Sequence, residues 1–234
     1  MKPISIMWSA GVTEEEATQA VLAIQEIINA IFRSDHGRRL WLRMPEIRPF
    51  GTWEIPSVPR GAAYWGTQWY VERSLDVQQQ RIRARDFLRL VEIEPWQLQA
   101  PHFDMALLDY DLMLDAEDDP ETLTLALTLP GTATVLSVAP LRGLRQEDQM
   151  LAWRRLVAHQ LGHLVRAPRL DRVAAVDLTQ SEPHCQAVCA MRHADNTYDL
   201  LRHAHEEAAA GITYCPACQR DLRIQLASIQ FSRN

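Results

Sequence analysis

The chain has 234 residues, a net charge of −6 and 47% hydrophobic residues. That length can bury a real core, and that composition excludes a disordered protein. The acidic balance gives nucleic acid no non-specific foothold, and no apolar run reaches the roughly 18 residues of a membrane span. The N-terminus "MKPISIMWSAGVTEEE" makes a poor signal peptide, because its short apolar stretch meets acids at Glu14. The expected protein is therefore cytoplasmic, with neither nucleic acid nor membrane as partner.

Taken in chain order, Ile4 to Trp8 reads as a buried strand. Thr13 and Glu16 form a capping box, and behind it Val21, Ile24, Ile27, Ile28, Ile31 and Phe32 recur at helical spacing. "RRLWLRMPEIRPF" (38–50) and "AAYWGTQWYV" (62–71) read as extended segments broken by proline and glycine. Gln78 to Glu94 reads as a second helix stopped by Pro95, and Phe103 to Leu114 as a strand. Asp115 to Glu121 reads as a solvated acidic turn. "TLTLALTL" and "TATVLSVAPL" flank Pro130-Gly131 and predict two strands joined by a short loop. A third helix is expected over Glu147 to Val165, with Met150, Trp153, Val157, Leu161 and Leu164 facing the core. A fourth is expected over Thr197 to Ala210 with Gly211 as its stop, and a short fifth after "CPAC". Strands before and between helices predict one α/β or α+β domain over 1–234.

Two features carry chemistry. In "AHQLGHLVRAPRL", His159 and His163 stand four apart, so on a helix both imidazoles lie on one face within reach of one ion. Gly162 beside them weakens that helix and calls for a reason such as close packing. The only four cysteines of the chain, Cys185, Cys189, Cys215 and Cys218, form a C-x3-C and a C-x2-C pair. Four thiolates suit tetrahedral zinc. Two alternatives stay open for them: small buried hydrophobes, or a redox pair in Cys215-Pro216-Ala217-Cys218. His193, His203 and His205 are spare candidate ligands, of which His203 and His205 read as surface histidines; most of the seven tryptophans read as core, and Arg166, Arg169 and Arg172 as a solvated loop or a reader of acidic groups.

The order of these motifs resembles the archaemetzincins, a branch of the metzincin zinc peptidases with the signature HExxHxxGxxHC-x4-C-x-M-x17-CxxC. The resemblance runs from about Ala62 to Leu222 and leaves residues 1–60 poorly matched. It implies an α+β fold, a zincin-like mixed twisted sheet packed with helices, plus a C-terminal part (185–218) holding a structural zinc on four cysteines. It also implies Met191 as the Met-turn methionine and a strand over Thr132 to Ala139 as a candidate edge for peptide pairing.

The departures from the signature are specific. Gln160 occupies the position of the general-base glutamate, and glutamine takes up no proton at neutral pH. Losing a general base typically costs about 10² to 10⁴ in rate. Arg166 stands at the turning glycine, where a Cβ is penalised in the left-handed conformation, so the chain is expected to leave the helix by another route. Pro168 puts the end of the helix near Ala167. Arg169 stands at the third histidine, and His184 is the candidate displaced ligand beside Cys185. Between Met191 and Cys215 there are 23 residues where the signature has 17.

The resemblance with its defects predicts a zinc-containing pseudopeptidase that binds a peptide or protein. An active metallopeptidase with His159, His163 and His184 around a second zinc is the alternative. A thiol redox or metal-binding protein is the third reading.

Overall fold

The computed structural model describes residues 2–33, 43–52, 66–114, 124–172, 174–179 and 182–231. Its main sheet is built on β1 (Ile4–Trp8), the first predicted strand. The chain then enters α1 (Glu14–Arg33) through the capping box: Glu16 N donates to Thr13 Oγ1 at 3.2 Å, and Thr13 N donates to Glu16 Oε2 at 2.8 Å. β2 (Ile47–Gly51), β5 (Phe103–Leu108) and β8 (Ala133–Ser137) join β1 in parallel. β7 (Ala126–Leu129) completes the order β2-β1-β5-β8-β7 and is the one antiparallel member.

Side chains alternate across these strands and build two cores. Ile4, Ile6, Phe103, Met105, Leu107 and Leu136 face α1 and α5 (Gln146–Leu164). Met7, Ala106, Leu108, Ala133 and Val135 face the other way, against α2 (Thr67–Ser74) and α3 (Ala84–Glu92). Each fully buried large side chain contributes about 1.5–3 kcal/mol. Trp153 is such a side chain, and its indole also donates to the Glu16 carbonyl at 2.8 Å, tying α5 to the start of α1. Arg142 binds the Glu16 carboxylate at 2.8 Å at the same junction. No helix among the described residues is long and apolar enough to cross a membrane.

Several expectations are corrected. The extended reading of 62–71 fails where it can be checked, since Thr67–Ser74 is helical; residues 53–65, 34–42 and the acidic stretch 115–123 lie outside the described residues. The helix expected from Gln78 begins only at Ala84. Before it, Asp76 caps a turn by accepting from the amides of Gln78 and Gln79, and Gln80 takes a positive φ of 54°. β3 (Leu75–Asp76) and β4 (Arg81–Arg83) form a small sheet with β6 (Leu112–Met113), which buries Ile82. Pro95 opens α4 (Pro95–Gln99) and does not merely stop what precedes it, as its missing N–H permits. The strand expected over 103–114 breaks into β5 and β6.

The hairpin and the later helices match closely. α5 follows the expected helix to within a residue at each end, and α6 (Thr197–Ala210) ends at Gly211 in the left-handed region, φ 65°. The closing helix α7 (Pro216–Phe231) has 16 residues, longer than expected. β8 lies between β5 and β7, so among the described residues the outer strand of the hairpin is β7 and not Thr132–Ala139. Of the tryptophans in the described residues, Trp153 is buried and Trp8, Trp69 and Trp96 are half-buried.

Candidate metal centres

α5 delivers His159 and His163 from its last two turns, on the face turned inward. The third member comes from β10 (His184–Cys185), paired antiparallel with β9 (Val176–Asp177). His159, His163 and His184 offer ligand atoms that all lie within 4.8 Å of one another, and Arg169 is not among them. The ring of His184 stacks on that of His159 at 5.3 Å and meets His163 edge-on at 5.0 Å.

Burial, reinforced by the neighbouring His163 and Arg155, pushes His159 well below its ordinary pKa. Burial, with His184 and His193 nearby, lowers His163 to about 3, and burial with His193 beside it lowers His184 to about 4. All three are neutral at neutral pH, the form that binds metal. The outer nitrogens are fixed by the protein. His159 Nδ1 donates to the Ala190 carbonyl at 2.6 Å, and His163 Nδ1 lies 3.1 Å from the Glu182 carboxylate. Orienting ligating histidines in this way is a familiar outer-shell device. The two Nε2 atoms face each other at 3.0 Å. Tetrahedral zinc with Zn–N of about 2.0–2.1 Å sets nitrogens about 3.3–3.4 Å apart, so the spacing suits it.

The same short strand builds the second centre. Successive strand residues point to opposite sides, so His184 faces the histidines while Cys185 faces Cys189, Cys215 and Cys218. The four thiols are buried and unpaired by disulfides. Cys185 Sγ and Cys215 Sγ lie 3.7 Å apart, against about 3.8 Å for two sulfurs on a tetrahedral zinc with Zn–S of 2.3 Å. The hydrogen bond with the Cys189 thiol, helped by Cys218 and opposed by Cys215 and by burial, holds Cys185 down at about 6. Donors compensate the thiolate charge: Cys215 N approaches Cys189 Sγ at 3.3 Å, and Arg172 approaches Cys218 Sγ at 3.3 Å while pairing with Asp221 at 2.9 Å. Arg172 is thus part of this centre and not of a solvated loop. Its role, like those of Glu182 and the Ala190 carbonyl, carried no pattern that the sequence reading could use.

Gln160 turns toward the β7–β8 hairpin. Its Oε1 accepts from Thr128 Oγ1 at 2.5 Å, with Thr134 Oγ1 at 3.5 Å. A carboxylate would accept the same bonds, so the pocket fits either residue. Met191 packs directly beneath the helix: a Cβ added to Gly162 would meet Met191 Sδ at 2.1 Å. The close packing anticipated for Gly162 is therefore a contact with the predicted Met-turn methionine.

The exit from α5 overturns an expectation. Arg166 adopts the left-handed conformation, φ 65°, despite its Cβ. Arg166 N donates to His163 O at 2.9 Å and Ala167 N to Gly162 O at 2.8 Å, the two bonds of a Schellman turn. The backbone thus makes the glycine-type exit with an arginine in place. Its guanidinium lies against Gly131, donates to the Pro130 carbonyl at 3.2 Å, and helps hold the exit. His203 is buried, contrary to the surface reading, because α6 packs it against α5 near Arg155. His193 is half-buried and its ring meets that of His184 at 4.7 Å, whereas the exposed His205 binds Asp148 at 3.0 Å.

A mixed sheet with one antiparallel outer strand, a helix carrying two buried histidines, and a third histidine from beyond that helix define a zinc-peptidase fold of the zincin kind. Within that class the fold is the archaemetzincin one. Archaemetzincin from Methanopyrus kandleri superposes with a TM-score of 0.58 at 14% identity, covering 97% of this chain and 96% of that one. Archaemetzincin from Archaeoglobus fulgidus, solved with malonate, gives 0.51 at 14% identity over 94% and 99%. A zinc-dependent peptidase from Methanocorpusculum labreanum gives 0.52 at 15% identity over 95% and 99%. No protein-family model matches the chain, and no curated protein sequence matches it.

Proposed function

We propose that this protein is a zinc-binding pseudopeptidase, an archaemetzincin-type scaffold that holds a peptide or protein at its histidine centre without turning it over. The observation that carries this reading is Gln160. It follows the first histidine of the pair, is buried, and presents a carboxamide already engaged by Thr128. A carboxamide cannot relay a proton, and that loss alone removes about 10² to 10⁴ in rate. Zinc on His159, His163 and His184 would supply a Lewis acid able to polarise a peptide carbonyl. Zinc on the four cysteines would serve as a structural clamp. The outer edge of β7, beside Gln160, offers backbone groups to which an extended peptide can add as a strand.

One observation favours a second reading, an active peptidase of altered geometry: His184 completes the ligand set that Arg169 leaves short. A thiol redox role has less support, because all four cysteines are buried. Zinc per chain, together with peptide cleavage by wild type and Gln160→Glu, separates these readings. We expect two zincs, no cleavage by wild type, and cleavage restored in the variant. Turnover by wild type at rates ordinary for a peptidase would refute the pseudopeptidase reading, and zinc-free protein with titratable thiols would favour the redox one.

A further inference from the structure

Beside the histidine centre lies a cavity of about 660 Å³, within the range of small-ligand sites. His163 and Glu182 form its inner wall. Ala167, Pro168, Leu170 and Ile224 supply an apolar lining, and Leu170 and Ile224 are among the few large hydrophobic side chains left exposed, at 77% and 41%. Exposed apolar side chains gathered at one concave site mark a surface that binds something.

Glu182 lies 3.1 Å from Nδ1 of the neutral His163, a contact that orients the ring without balancing a charge. Asp171 is engaged by Arg169. Arg166 is exposed and has no acidic partner among the described residues. Its guanidinium donates to the Pro130 carbonyl at 3.2 Å, and Gln225 steadies its backbone by donating to the Arg166 carbonyl at 3.1 Å. A guanidinium without an acidic partner among the described residues, held by one bond to a carbonyl, therefore lines an apolar cavity next to the histidine centre. A guanidinium recognises a carboxylate through paired N–H donors.

We infer that this cavity takes the carboxy-terminal residue of a peptide, with the apolar side chain in the cavity and the free α-carboxylate on Arg166. A terminal residue carries both groups on one carbon, so a single residue satisfies both features. The inference rests on the peptide-binding reading above and specifies which end of the peptide is held.

The test uses the full-length, zinc-loaded protein and three fluorescein-labelled probes: Ala-Ala-Ala-Leu with a free carboxyl end, the same peptide amidated, and amidated Ala-Ala-Glu-Leu. Affinity is read by anisotropy for wild type, Arg166→Gly and Arg166→Lys. Glycine suits the left-handed backbone at this position, so Arg166→Gly is expected to fold at least as well as wild type. The free acid should bind wild type roughly tenfold or more tightly than the amide. That ratio should fall close to one in Arg166→Gly and persist in part in Arg166→Lys. Equal binding of acid and amide to wild type overturns the inference while leaving peptide binding in place. So does a ratio that survives in Arg166→Gly, or preference for the glutamate-bearing amide, which would make a side chain the anchor. If no probe binds, this inference and the peptide-binding reading fall together.

Discussion

At the cysteine centre the candidate ligands come in two tight pairs, one from β10 and the turn after it and one from the mouth of α7. At the histidine centre two ligands share one helix, and the third reaches them from β10 across an irregular segment. The first centre is braced by a backbone amide and by Arg172. The second is braced by the Ala190 carbonyl and Glu182. The segment 184–191 serves both. It supplies His184 to one centre and Cys185 and Cys189 to the other, while the Ala190 carbonyl holds His159 and Met191 fills the space under Gly162. The difference teaches a dependence in one direction. The four thiols take no atom from the histidine cluster, whereas the histidine cluster draws His184 and the Ala190 carbonyl from the segment that also carries Cys185 and Cys189.

The largest effect should therefore come from the cysteines. Cys189→Ala is expected to remove both metals, because it frees the segment that positions His184. Structural zinc sites contribute on the order of 10 kcal/mol of apparent binding energy, so a loss of even several kcal/mol at about 2–4 °C per kcal/mol lowers Tm by roughly 10 °C or more. Metal analysis and a melting curve check this. Retention of one metal per chain, held by the histidines, would break the proposed dependence.

His184→Ala tests the converse and should do less. One metal of two is lost, the cysteine-bound one remains, and Tm changes far less than in the cysteine variant. Cobalt substitution distinguishes the centres, since thiolate charge-transfer absorption belongs to the cysteine set alone. Loss of that absorption on removing His184 would mean that support runs both ways between the centres.

The same contrast governs what the sequence made legible. The cysteine pairs are close in sequence, and thiolate spacing needs no fold to be read. The helix with His159 and His163 was legible from its period, and so was the Pro130-Gly131 hairpin beside it. The third histidine was legible only as a candidate, because the segment between Arg169 and His184 has no regular period, and only tertiary structure brings its far end back. Arg166 shows where local propensity misleads. A Cβ disfavours the left-handed region, yet the amides of Arg166 and Ala167 still close the turn on α5, and the guanidinium settles against Gly131. The misplaced start of α3 has a similar cause: Gln78 to Glu94 is rich in helix formers, but the Asp76 turn and the burial of Ile82 against β6 claim its first residues.

Gly162→Ala sharpens the comparison without touching any ligand. In an exposed helix this change would gain about 1 kcal/mol from propensity. Here the new Cβ would sit 2.1 Å from Met191 Sδ, so either the methionine must shift or the helix must lift. Overpacking of this kind costs about 1–3 kcal/mol, which cancels or outweighs the propensity gain. We expect a net loss of up to about 2 kcal/mol, measured by denaturant unfolding, with both metals retained. Combining it with Met191→Ala should cost less than the sum of the two single changes, because the contact that makes alanine unwelcome is gone. Strict additivity would show that Met191 does not press on the helix, and the glycine would then need another cause. A non-additive result with unchanged metal content would place Met191 as the packing link through which the cysteine-pinned segment supports the histidine helix.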